Sequence, residues 1–178
     1  MCRHLAFPLA ASLALGSGVD AQTDGWGPIF DTATLGPGQA ACWSEAENSA
    51  CLLLTCRDGA PLEIGLLAIG GGFGFEPVLP VYIRVDGGTA HELRMSPLDF
   101  SDYQHAAVAY DPDRHSELLR QLRTGRWASI ALHDPEANPL PYPLGNRPDA
   151  VDAALAACGA AQLSNIQADS GAMTPTDR

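Results

Sequence analysis

The chain has 178 residues, with 21 acidic against 10 basic side chains, a net charge of −11 and five cysteines. All the basic residues are arginine and none of them forms a tract, which argues against nucleic acid and anionic membrane surfaces as partners. The length suits one domain with a sizeable core.

In chain order, Met1 to His4 supply a positive start, LAFPLAASLAL an apolar core, and Val19 and Ala21 the small residues of a cleavage site. That three-part pattern predicts a signal peptide over residues 1–21 and a periplasmic or secreted product. The apolar run falls short of the about 20 residues that span a bilayer, so no transmembrane segment is expected in the mature chain. Residues 22–41 are rich in Gly, Pro and Thr and read as an irregular N-terminal arm, pinned to the core by Trp26, Ile29 and Phe30. Strand-like runs follow at 51–57, 62–69, 81–86, 90–95 and 106–110. The clearest hairpin is VYIRVDGGTAHELRM, where Val81, Ile83 and Val85 alternate with polar residues before Asp-Gly-Gly turns the chain.

Asp111 as cap, Pro112 at the first position and Gly125 at the end delimit a helix with Leu118, Leu119 and Leu122 on its apolar stripe. WASIALHD returns as a strand, and NPLPYPLG is proline-broken and suits only an edge. A second helix is expected from Arg147 to Gly159, with Val151, Leu155 and Cys158 on one face. Residues 160–178 have little to bury and read as a mobile tail. The predicted fold is mainly β with two short helices: a disulfide-stapled, antiparallel, β-sandwich-like single domain over residues 42–159.

Cleavage would discard Cys2 and leave Cys42, Cys51, Cys56 and Cys158, an even set that reads as disulfides in an exported chain. The spacing C-x8-C-x4-C lacks the paired ligands of a zinc site, and no CxxC is present. Cys51 and Cys56 lie at opposite parity on one strand, roughly 16 Å apart at about 3.3 Å per residue. A disulfide needs Cα atoms within about 7 Å, which removes Cys51–Cys56 and with it Cys42–Cys158. Of the two pairings left, Cys42–Cys51 across the polar loop WSEAENSA with Cys56–Cys158 across the domain is preferred.

Catalytic and ligand motifs are sparse. GGGFGFEP contains no full GxGxxG, and prolines follow where a phosphate-cradling helix would open, so no nucleotide cofactor is expected. Phe73 and Phe75 on that loop are candidate partner-binding residues. Asp111-x-Asp113-x-His115 resembles a ligand cluster, but it falls where a helix cap belongs, and no metal is expected. Asp99, Ser101, Asp102 and His105 gather in one loop without a nucleophile elbow or an HExxH, so no catalytic residues are assigned.

ACLLLTC, VYIRVDGG, HSELLRQLRTG, WASIALHD and PLGNRPDAVDAAL, taken in order from Trp43 to Leu155, resemble the invasion-associated locus B family of small exported bacterial proteins. The resemblance implies a β-sandwich-like domain of the cell envelope, linked to host-cell entry in some pathogens, and it carries over no catalytic residues. The expected function is thus non-enzymatic binding of an unknown protein or envelope component through loops of a rigid scaffold. An acidic inhibitor of a hydrolase such as lysozyme is one alternative. A small periplasmic hydrolase using the Ser101 to His105 region is another.

Overall fold

The structure, a computed structural model, describes residues 25–45, 48–57, 60–74, 76–99 and 103–170. Its strands are β1 (Trp26–Pro28), β2 (Gly38–Glu45), β3 (Asn48–Thr55), β4 (Glu63–Ile69), β5 (Leu79–Val85), β6 (His91–Asp99), β7 (Tyr103–Ala109), β8 (Trp127–Leu132) and β9 (Leu140–Pro143). Its helices are α1 (Thr32–Leu35), α2 (Pro112–Thr124) and α3 (Pro148–Ser170). The strands form one antiparallel sheet in the order β1-β2-β3-β4-β7-β6-β5-β8-β9.

β6 is the strand that folds this sheet over. Its first half, His91 to Met95, pairs with β5, and its second half, Ser96 to Asp99, pairs with β7. A strand that changes partners along its length makes a corner, as in packed-sheet folds. The two halves therefore face each other across a shared core of Leu52, Leu54, Ile64, Leu66, Val81, Ile83, Leu93, Met95 and Ile130. The edge strand β9 comes close to β2, the strand beside the short β1 at the opposite edge, so the sheet is a nearly closed barrel. The expected antiparallel, disulfide-stapled β class is borne out, with the sandwich layers joined into one curled sheet.

Prolines keep the barrel from closing. The Leu144 N–H donates to the Arg126 carbonyl beside β8, so residues of even number along β9 face β8. Pro141 and Pro143 then face the free edge, where a missing N–H costs nothing. On β1 the Ile29 N–H donates to Gly38, which turns Pro28 outward in the same way. The β9 edge thus offers prolines in place of donors that could recruit another strand, and Pro28 removes one outward donor from β1.

Two expectations are corrected. Residues 22–41 were expected to be irregular, yet residues 26–41 hold β1, α1 and the start of β2. Their glycines serve close approach rather than disorder: a Cβ on Gly38 would lie 2.1 Å from the Leu54 carbonyl oxygen. Leu35 and Ile29 pack with Ala40, Cys51, Leu53 and Leu67 into a second small core on the outer face of β2 to β4, while Phe30 stays exposed. The second correction concerns the expected end at Gly159, because α3 continues to Ser170. The surrounding alanines favour helix, and one interior glycine costs only about 1 kcal/mol. Residues 1–21, expected from the sequence to be a signal peptide, and residues 171–178 lie outside the described part.

α2 follows its sequence punctuation. The Asp111 carboxylate accepts the Asp113 N–H, Pro112 opens the helix and Gly125 ends it, its N–H donating to Gln121. α2 and α3 pack together, joined by Arg123 to Asp152 at 2.7 Å. His91 on β6 bonds Gln121 on α2 at 3.2 Å, and Val151, Ala154 and Cys158 of α3 join the barrel core. The helices therefore plug one end of the barrel. Cys56–Cys158 fixes that plug with Cα atoms 5.4 Å apart, and Cys42–Cys51 links cross-strand partners on β2 and β3 with Cα atoms 4.0 Å apart.

The bridges close loops of very different size, with sequence separations of 102 and 9. Chain-entropy arithmetic gives about 4.7 kcal/mol for the long loop and about 2.6 kcal/mol for the short one. Urea unfolding of the paired-serine variants should show the Cys56→Ser/Cys158→Ser protein losing more stability than Cys42→Ser/Cys51→Ser. Equal losses would contradict the role given to the long bridge.

Candidate functional site

With the helices at one end, the other end of the barrel is left to loops. There the interior opens into a cavity of ≈ 180 Å³. Its walls are Trp43 on β2, Ala50 on β3, Leu66 and Ala68 on β4, Ile130 and Leu132 on β8, and Leu140 and Tyr142 on β9. Asn48 and Ser49 supply its polar edge, and Gly71, Gly72 and Phe73 cover it.

The hole has a direct origin in the register of β3 and β4. Leu54 pairs with Ile64 and Leu52 with Leu66, filling the middle of the barrel; the next inward pair is Ala50 with Ala68. Two methyl groups stand where the preceding layers have branched side chains, and the volume between them stays empty. Phe73 is positioned over the gap because its N–H donates to the side-chain oxygen of Gln104 on β7. Burial pushes the Tyr142 phenol pKa upward, so it stays a neutral wall group. Such walls hold an apolar group. A cavity of about 150 Å³ lined by Leu, Ile and Phe already binds benzene.

The candidates from the sequence are dispersed. Phe73 is at the cavity, half-buried and packed on the core. Phe75, Ser101 and Asp102 lie outside the described residues. His105 is fully buried on the outer face of β7, opposite Leu67, on the far side of the sheet from the cavity. A Cβ on Gly65 would come within 2.7 Å of the His105 Nε2, so glycine there makes room for the ring. Burial first, and then the Arg57 charge, lower the His105 pKa to about 4, against an opposing pull from Glu63.

Asp111, Asp113 and His115 form a closed capping unit: the Asp111 N–H donates to the His115 Nδ1 at 3.0 Å, and the Asp111 carboxylate accepts from Asp113. Burial lowers the His115 pKa, with Asp111 opposing. Beside this unit a wider concavity of ≈ 510 Å³ is bordered by Glu92, Arg94, Tyr110, Asp111, Arg114 and His115. Its charges alternate in sign, and Arg114 pairs with Asp111 at 3.5 Å. The cavity under Phe73 is the better candidate, being apolar and walled by strands. Sequence reasoning missed Trp43, Ala50 and Ala68, since two alanines mark a hole only once their strands are known to pair.

Fold and site together define a small disulfide-clamped β domain with one plugged and one open end. Among solved structures, invasion associated protein B from Bartonella henselae resembles it weakly, at 13% sequence identity and a TM-score of 0.35 over 65% of this chain and 96% of that chain. No protein-family model matches the chain, and no curated protein does.

The buried His105 predicts acid sensitivity. Its imidazole stays neutral in the fold down to about 4, whereas an unfolded histidine takes up its proton near 6.5. The unfolded chain binds more protons in that window, so stability falls as pH drops through it, by up to roughly 3 kcal/mol. Urea unfolding at about pH 7 and about pH 5 should show this loss, and His105→Gln should reduce it. An unchanged pH slope in the variant would count against the assignment.

Proposed function

We propose that this chain is an exported protein of the cell envelope, akin to the invasion-associated locus B family, that holds a macromolecular partner at the open end of its barrel. The observation that carries this reading is the preformed apolar cavity beneath Phe73. Val78 and Leu140, both large and exposed, occur in the same set of loops and strand ends. Apolar anchors around a pocket, carried on a rigid scaffold, are how loops recognise partners. The two disulfides are consistent with an oxidising compartment. Among the described residues no helix is long and apolar enough to cross a membrane.

A photo-crosslinking residue at position 73 in the native periplasm tests the proposal. One at Trp127, which is exposed at the helix-plugged end, is the control. A discrete adduct should form from position 73 and not from 127. Adducts from 127 alone, or none from 73, would overturn the reading.

A further inference from the structure

Charge is distributed unevenly between the two ends. Among the described residues, the strand ends and connections at the open end carry Glu45, Glu76, Asp134 and Glu136, and no arginine. Arg57, Arg114, Arg120, Arg123, Arg126 and Arg147 all belong to the helix-plugged end. Of the open-end carboxylates, Glu136 pairs with Arg84 from the outer face of β5, and Glu76 faces His133 at 3.6 Å. Glu45 and Asp134 have no arginine partner among the described residues. Each is two residues from a cavity wall, Glu45 from Trp43 and Asp134 from Leu132.

An apolar hole inside an anionic rim selects its occupant. Resting on the binding reading above, we infer that the cavity takes one apolar side chain from a positively charged protein segment, whose cations meet the rim carboxylates. At ≈ 180 Å³ the space holds a single ring or branched aliphatic group. Pockets for free drug-sized ligands run to about 300–1,000 Å³. A single anchor of this size draws its affinity from a larger partner around it, and the rim supplies the flanking contacts. A fatty acid or an acidic peptide would bring its own negative charge against the same carboxylates and be disfavoured.

Three synthetic peptides titrated into the full mature protein by calorimetry test the inference: Arg-Lys-Phe-Lys-Arg, Arg-Lys-Ala-Lys-Arg and Glu-Asp-Phe-Asp-Glu. The first should bind at least about tenfold more tightly than either of the others. Its affinity should fall several-fold between about 50 mM and about 500 mM salt, as the Debye length shrinks. Ala68→Leu, which fills the cavity, and Phe73→Ala, which removes its cover without touching a strand, should each weaken it about tenfold or more. Glu45→Gln with Asp134→Asn should flatten the salt dependence and keep the preference for phenylalanine.

Equal binding of the acidic peptide overturns the inference. So does indifference to both cavity variants, or no binding of the basic phenylalanine peptide up to about 1 mM. If position 73 crosslinks a partner in the periplasm but the peptides bind without regard to charge, the binding reading survives and this one fails. Without a crosslink at position 73, the reading beneath it falls as well.

Discussion

The Cys56–Cys158 bond gives the molecule its polarity. It ties the end of β3, a strand near the centre of one sheet half, to the inward face of α3, so the helix lies across one mouth of the barrel. Val151, Ala154 and Cys158 reach the core at helical spacing, and α2 braces α3 through Arg123 and Asp152. A covalent clamp worth about 4–5 kcal/mol is large against a total stability of about 5–15 kcal/mol. With one mouth closed in this way, the hairpin connections at the other are not needed to seal the core.

The remaining constraint acts at the seam. β9 turns prolines to its outer edge and Pro28 removes a donor from β1, so the ladder between the two ends of the sheet stays incomplete. The barrel is held by side-chain packing there and by backbone pairing everywhere else. Burial follows the same division: leucines and isoleucines fill the middle layers, and alanines occupy the layer at the open end. The cavity follows from that gradient in side-chain size. The acidic loops around it give the open end a charge unlike that of the arginine-bearing helix end.

How much of this was legible in the sequence depended on whether the signal was local. α2 announces itself through Asp111, Pro112 and Gly125, each acting within a few residues of its own position. The hairpin at Asp86-Gly87 is equally local, with positive φ at both residues and a Gly88 N–H to Val85 closing the turn. The arm was misread because Gly and Pro mark loops in isolation. Here Gly38 permits β2 to lie against β3, and Pro28 marks a free edge, both of which are facts about neighbouring strands. α3 was expected to stop at Gly159 because glycine often ends helices, but no left-handed turn is made there. The site was half legible: Phe73 could be singled out from its loop, whereas the Ala50–Ala68 pairing beneath it depends on inter-strand register. His105 was a reasonable catalytic candidate by composition, and its burial on the outer face of the sheet became visible only with the fold.

Native-state hydrogen exchange before and after reduction and alkylation of the disulfides tests the clamp most directly. The account predicts that amides of residues 148–158 lose protection on reduction, while β4, β5 and β8 keep most of theirs. Unchanged protection of residues 148–158 in the reduced protein would contradict it, since the helix would then plug the barrel without its covalent tie.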